Sequence, residues 1–354
     1  METKLKILRD VPLAPLTTLK IGGPARFFVR AESEEEVIET FRMAEQNSLP
    51  VFVLGGGSNV LIADEGFEGL VLQIGINGIS ETSPSQITAG AGVDWDRFVE
   101  FCVRENLQGV ECLSGIPGFV GGTPVQNVGA YGQEVSETIR AVRCFDRNSG
   151  RILTLDNQQC GFSYRRSIFN STERERYVVL AVAYDLLSGG EPKIAYADLK
   201  KVFGSGRPTL SETREAVLRV RSAKAMVIDE NDADSRSAGS FFKNPVVSLE
   251  EFEAVKQKAR ALGAIGRDED PPNFPVDEKT RKIPAAWLIE KSGFHKGYGL
   301  GRVGLSTKHT LAITNRGGGT AREVIELKNE IQTGVAEKFG VALHPEPIFI
   351  GFEE

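Results

Sequence analysis

The sequence predicts a layered α/β or α+β protein of more than one domain, on three observations. Its 354 residues exceed what a single hydrophobic core usually supports. The opening third reads as strand, helix, strand. Beyond residue 87 this gives way to short strands interrupted by glycine, and two strongly signalled helices occupy the last third.

Taken in order, residues 26–30 are strand-like. Ser33 and Glu36 then carry the signature of a capping box, and Val37, Phe41 and Ala44 follow at helical spacing. Apolar runs at 51–54 and 70–74 read as buried strands. Further strands are expected at 87–90, 140–144, 151–155 and 177–187, with helical spacing over 95–104 between the first two. The segment 204–208 has linker composition, a helix is expected over about 211–221, and 228–237 is polar and reads as a loop. Ser248 with Glu251 starts a helix running to about residue 262. Thr320 with Glu323 starts another that runs to Phe339 and stops at Gly340.

Composition narrows the function classes. The formal net charge is −6, and no Lys/Arg block marks a nucleic-acid surface. A bound phosphate would therefore rest on backbone N–H groups and a few placed cations. Met1 is followed by mixed charge, so no signal peptide is expected, and the longest apolar run, 177–187, is too short for a membrane span and contains Asp185. Cys102, Cys112, Cys144 and Cys160 show no CxxC pairing, which fits a reducing compartment; the cytoplasm is expected. His295, His309 and His344 lack metal-ligand spacing, so no metal site is expected.

The 38 glycines cluster. Gly55, Gly56 and Gly57 follow the strand 51–54 directly, where the missing Cβ atoms let N–H groups converge on an anion, and Ser58 and Asn59 add side-chain donors before Val60. This is neither a P-loop nor a GxGxxG. The segment 114–132 is richer, with six glycines and two prolines in nineteen residues, more special backbone positions than a hairpin needs. Together the two segments suggest a dinucleotide whose pyrophosphate lies on backbone amides. A true GxGxxG at 299–304 has no strand before it and no helix after it, so it reads as a decoy rather than a Rossmann fingerprint.

These two segments, with TTLKIGGP at 17–24 ahead of them, resemble the flavin-binding half of the UDP-N-acetylenolpyruvoylglucosamine reductase family. The likeness continues in order through SYRRS (163–167), AGSFFKNP (238–245), AWLIE (286–290) and HPEP (344–347), and so covers nearly the whole chain. It implies an α+β fold: a two-part FAD-binding domain of the vanillyl-alcohol-oxidase type (1–75 and 76–205), a smaller α/β substrate-binding domain (206–340), and a tail (341–354) returning to the active site. It implies an oxidoreductase that uses non-covalent FAD, with NADPH as co-substrate, to reduce UDP-N-acetylglucosamine enolpyruvate to UDP-N-acetylmuramate in peptidoglycan precursor synthesis. The expected partner is that nucleotide sugar, with no nucleic acid and no membrane, and the chain is expected to be a monomer.

Residue by residue, the resemblance places the flavin on Gly55, Gly56, Gly57, Ser58, Asn59 and Val60. From the second segment it takes Ser114, Gly115, Ile116, Pro117, Gly118, Gly122 and Thr123, then Gln126, Asn127, Gly129, Ala130 and Tyr131. Reduction of an enolpyruvyl ether adds hydride to the methylene carbon and a proton to its neighbour, so the site needs electrophilic stabilisation and a proton donor. Arg165 matches the position that meets the developing charge, Ser240 the proton donor and Glu346 the third catalytic residue. Each, taken alone, reads as an ordinary polar residue. Tyr164, Tyr196, Lys224 and Asn244 match substrate-binding positions, Tyr196 as the lid tyrosine of the extended-loop subtype. Nothing is implied for the charged insert 170–176.

Two rival readings are an alcohol or phenol oxidase of the same flavin fold and a non-enzymatic nucleotide-binding protein. The absence of histidine from both glycine-rich segments argues against a covalent flavin, although Cys112 is near the second. The presence of Arg165, Ser240 and Glu346 together argues against a protein that has lost its chemistry.

Overall fold

The computed structural model describes residues 5–352. The chain divides into two compact units: the first holds the chain up to Pro12 with Pro24–Gly57 and Phe67–Val227, and the second holds Leu13–Gly23, Ser58–Gly66 and the chain from Ile228 onward.

The first unit opens on a four-stranded sheet. Pro24–Ala31, Phe67–Ile74 and Val51–Leu54 run parallel, with Leu8–Pro12 antiparallel on the outer side of Pro24–Ala31. Helix α1 (Glu34–Gln46) makes the crossover and buries Val37, Thr40 and Ala44. Phe67–Ile74 is the central parallel strand, and its last six residues are all buried, as expected of a strand covered on both faces. Half of the predicted capping box forms: Ser33 Oγ accepts from Glu36 N at 3.2 Å, whereas the Glu36 carboxylate accepts from the N–H of Glu32 at 2.6 Å rather than from Ser33.

The second sheet of this unit is antiparallel, in the order Arg151–Asp156, Ile139–Asp146, Tyr177–Asp185, Gln86–Gly90, Ile79–Ser83. Helix α2 (Trp95–Arg104) buries Trp95, Phe98, Val99 and Cys102, a helical apolar stripe. The buried Trp95 satisfies its one donor by giving Nε1–H to Leu113 O at 3.0 Å. Helices α3 (Ala197–Phe203) and α4 (Leu210–Ala223) end the unit. Leu199, Ala216 and Val217 bury themselves with Cys112, which carries the unit past residue 205 to Val227.

The second unit is built on α5 (Leu249–Ala261), α6 (Ala285–Lys291) and α7 (Ala321–Phe339). Both boxes expected here are reciprocal, Ser248 with Glu251 and Thr320 with Glu323, and α7 ends on Gly340 at φ +73°, a left-handed cap. Leu19, Ile21 and Leu61, from the two early segments, join Val324, Ile331, Val335 and Phe339 in one core. Strand Ile348–Ile350 pairs parallel with Val60–Ile62. Asp64 accepts from Ala321 N at 2.7 Å and Arg322 N at 3.1 Å, a second anchor for the N-terminus of α7.

Candidate active site

In the first unit the two glycine-rich segments meet. A Cβ built on Gly56 would lie 2.6 Å from Gly118 Cα and 3.0 Å from Phe119 N, so only glycine permits this approach. The amides of Gly55, Gly56 and Gly57, and those of Ile116, Gly118 and Phe119, donate to no protein acceptor among the described residues. A Cβ on Gly55 or Gly122 would meet no protein atom within 4 Å. Two adjoining loops thus offer six N–H groups with no protein acceptor among the described residues, a supply of donors suited to a cradle for an anion.

Other members of the second segment serve the protein itself. Gly115 N donates to Asp96 Oδ1 at 2.6 Å, the carboxylate that also takes Arg214 in bidentate fashion at 2.6 and 2.9 Å. Burial opposes the ionised form of Asp96, but the hydrogen bonds from Arg214 and from Gly115 outweigh it and lower its pKa. The buried Ser114 donates Oγ–H to Glu111 O at 2.6 Å, and Thr123 Oγ1 bonds Val120 O at 2.8 Å and shares a 3.1 Å contact with Tyr184 Oη. Asn127, at φ +45°, is buried and fully used: Nδ2 reaches Glu134 Oε2 (2.8 Å) and Ser163 O (3.1 Å), and Oδ1 accepts from Ser136 N (3.1 Å). Its side chain ties the segment together and holds no donor for a cofactor. Gly129 and Ala130 pair with Glu134 and Gln133 in a short hairpin, Tyr131 follows at φ +51°, and Gln126 and Pro117 lie on the same loop.

Tyr164 and Arg165 occupy the tip of a four-residue turn closed by Ser163 N to Arg166 O (2.9 Å) and Arg166 N to Ser163 O (3.0 Å). Arg165 has φ +53°, and its guanidinium carbon lies 5.8 Å from the Tyr164 ring centroid. Tyr131 and Tyr196 meet edge to face with centroids 5.3 Å apart. Lys224, the C-cap of α4, donates Nζ–H to Asp198 Oδ2 at 2.7 Å. Burial pulls the Lys224 pKa down, but opposing effects, led by the hydrogen bond to Asp198, outweigh it and raise the pKa above its ordinary value, so Lys224 is an ammonium at neutral pH.

In the second unit, an isolated backbone bridge lays the segment following Ser240 beside the segment that carries Glu346. Phe242 bridges Pro345, with Lys243 N to His344 O at 3.0 Å and Glu346 N to Phe241 O at 2.9 Å. Asn59 closes the group: its Nδ2 donates to Glu346 O at 3.3 Å and its carbonyl accepts from Ile348 N at 3.0 Å. Ser58 and Val60 flank it on the same unit. The motif at 17–24 supports this arrangement, since Thr18 Oγ1 donates to Ser237 O at 2.6 Å. Asn244 uses Oδ1 to accept from Ala285 N at 2.9 Å, capping α6, and its Nδ2 has no acceptor among the described residues.

The GxGxxG at 299–304 has a different purpose. Arg316 donates to the carbonyls of Gly297, Gly299 and Leu305, and a Cβ on Gly304 would lie 2.3 Å from its Nη2. Gly304 makes room for an arginine that staples the loop. Among the described residues no cluster of His, Cys, Asp and Glu could hold a metal, and no helix is long and apolar enough to cross a membrane. Asp96 and Asp198 went unnoticed in the sequence because their partners lie 118 and 26 residues away, beyond any local pattern.

Comparison with known proteins completes the description. Residues 25–156 match the family model for an FAD binding domain, and residues 231–350 match that for the C-terminal domain of UDP-N-acetylenolpyruvoylglucosamine reductase. A UDP-N-acetylenolpyruvoylglucosamine reductase of Thermobifida fusca is 47% identical over 97% of this chain and 98% of its own. The chain belongs to the UDP-N-acetylenolpyruvoylglucosamine reductase family. The Streptomyces coelicolor member is likewise 47% identical, over 97% of this chain and 90% of its own. A crystal structure of the Thermus caldophilus member shares the fold, with a TM-score of 0.66 at 23% identity over 98% of this chain and 99% of that one. The chain is thus an FAD-dependent oxidoreductase of the α+β class, and its two glycine-rich loops, with six amides that have no protein acceptor among the described residues and open space where Gly55 and Gly122 lack a Cβ, suit the diphosphate of that cofactor.

Proposed function

We propose that the protein reduces UDP-N-acetylglucosamine enolpyruvate to UDP-N-acetylmuramate with electrons from NADPH, in peptidoglycan precursor synthesis. The observation that supports this reading is the backbone pairing of 241–243 with 344–346, which lays the segment following Ser240 beside the one that carries Glu346, whose carbonyl accepts from Asn59.

The cradle formed by 55–57 and 116–119 would hold the FAD diphosphate, with Ser58, Asn59 and Val60 continuing the contact. Bound FAD supplies hydride transfer from the nicotinamide to the enolpyruvyl double bond. Arg165 stabilises the charge that builds on the carboxylate side, because a guanidinium stays charged and can grip a carboxylate with two parallel donors. Ser240 delivers its hydroxyl proton to the adjacent carbon. A neutral serine is a weak acid, so this transfer needs a strongly basic acceptor and a fixed hydroxyl. Glu346 hydrogen-bonds the developing enolate or the serine. Lys224, Tyr196 and Asn244 hold the substrate diphosphate, Tyr164 lines the site, and this remote binding orients the reacting carbon. Lys224 spends one of its three donors on Asp198 and has two left for phosphate oxygens.

Anaerobic titration tests the reading. The purified yellow protein is expected to bleach on addition of NADPH and to recolour stoichiometrically with UDP-N-acetylglucosamine enolpyruvate. Bleaching without recolouring would remove the substrate assignment, and a protein that neither carries nor rebinds flavin would remove the whole proposal.

A further inference from the structure

The charged insert 170–176 sits against the turn that presents Arg165. Asn170 donates Nδ2–H to Arg165 O at 3.1 Å and accepts Ser167 N–H on Oδ1 at 3.0 Å, so one side-chain amide spans both arms of the turn. Arg165 has φ +53° at a turn position where glycine or asparagine is favoured, and an arginine keeps that conformation only when its surroundings over-determine it. Those surroundings are specific. Asn127 Nδ2 holds Ser163 O, Ser167 Oγ holds Val125 O at 2.6 Å, and Asn170 holds the carbonyl of Arg165 itself.

The insert is in turn pinned to the antiparallel sheet. Arg176 donates Nε and Nη2 to the two oxygens of the buried Asp146, at 2.9 and 3.1 Å, and Nη1 to Glu173 at 2.9 Å. Arg147 N and Nη1 donate to the carbonyls of Arg176 and Glu175, at 3.0 and 2.8 Å. The route from sheet to insert to Arg165 backbone is therefore continuous and built of charged or fully satisfied hydrogen bonds.

We propose that Asn170 is a positioning residue for the reduction. It locks the backbone of Arg165 in its left-handed conformation and so aims the guanidinium. This rests on the assignment of Arg165 above, and Asn170 itself touches no reacting atom. Asn170→Asp is the discriminating variant, since it retains the acceptor for Ser167 N–H and removes the donor to Arg165 O. Asn170→Ser removes the amide, leaving a hydroxyl one atom shorter, without adding charge.

The test is anaerobic stopped-flow on the flavin-loaded protein, following bleaching by NADPH and recolouring by the enolpyruvyl substrate separately. Both variants are expected to slow recolouring about tenfold to hundredfold, the scale of a misaimed catalytic group, while bleaching stays within about twofold. In an Arg165→Ala background, Asn170→Asp is expected to slow recolouring no further, because the two residues act as one. If Asn170→Asp yields no flavin-loaded protein, Asn170→Ser carries the same expectation. Parent-rate recolouring in both variants, equal slowing of both half-reactions, or additive effects in the double variant would overturn the proposal. Recolouring at the parent rate in Arg165→Ala alone would instead remove the assignment of Arg165.

Discussion

A single methyl group at residue 56 is a sharp probe of the cradle. It would press against Gly118 Cα at 2.6 Å, and backbone on both sides leaves no side chain to swing away. Overpacking of this kind costs about 1 to 3 kcal/mol, or about tenfold to hundredfold in affinity if the displaced loop is the one that holds the cofactor. Gly56→Ala is therefore expected to fold yet copurify with little flavin, measured as the 450 to 280 nm absorbance ratio and the flavin dissociation constant. Undiminished flavin affinity would mean that this meeting of loops has no part in cofactor binding. Much at this scale was legible in the sequence, because clustered glycines announce close backbone approach. What each residue does there was not. Gly115, Ser114, Thr123 and Asn127 lie in the segment expected to contact flavin, and the Gly115 amide and the three side chains also tie that segment to Asp96, Glu111, Val120, Glu134 and Ser163. A glycine-rich segment must hold its own shape before it can hold a ligand, and sequence spacing does not separate the two duties.

Among the elements, the caps were the most legible features, since a capping box is read within four residues. Ser248 with Glu251 and Thr320 with Glu323 close reciprocally, as does the unread pair Thr209 with Glu212. Ser33 with Glu36 does not, because the glutamate reaches one residue too far back. The insert 170–176 shows the opposite case. Its charges implied nothing by themselves, and its meaning depends on Asp146 in a strand 30 residues earlier than Arg176. The hydrogen bonds from Arg176 hold the Asp146 carboxyl well below its ordinary value against the cost of burial, with Ser149 Oγ and Asn148 N adding to the effect. An acid whose pKa is lowered on folding contributes stability that is present above its unfolded value, near 3.9, and is lost as pH falls below it. Asp146→Asn leaves a guanidinium facing a neutral amide and is expected to cost about 2 to 4 kcal/mol near pH 7. It should also flatten the loss of stability between about pH 5 and pH 2, because the group that titrates there is gone. Urea unfolding across that range measures both, and an unchanged acid limb would show that other carboxylates set it.

For the whole molecule, chain order is a poor guide to what folds with what. Sequence composition suggested a contiguous C-terminal domain over 206–340, but the second unit takes in Leu13–Gly23 and Ser58–Gly66 as well as the chain from Ile228 onward. Their contribution is structural. Leu19, Ile21 and Leu61 are buried in its core, Val60–Ile62 is the partner strand of Ile348–Ile350, and Asp64 caps α7. Thr18 and Asn315 link the early segment to the later chain through Ser237 O and through the carbonyls of Leu19 and Lys20. No periodicity argument could find this, because each early segment is short and reads as a turn beside its neighbours. The consequence is testable by dissection. A fragment of residues 228–354 retains α5, α6 and α7 but lacks three large side chains of the hydrophobic core cluster and one half of a parallel strand pair. Each large buried apolar side chain missing from a core costs about 2 to 5 kcal/mol, so three of them exceed the stability of an ordinary domain's margin. The fragment is expected to keep helical far-UV dichroism while losing dispersed methyl resonances and a cooperative unfolding transition. Adding a peptide of residues 13–23 alone should not restore these, because the strand at 60–62 and the Asp64 cap would still be missing. A fragment that unfolds cooperatively with sharp, dispersed spectra would show instead that the later chain carries a sufficient core, and that the early segments serve the active site alone.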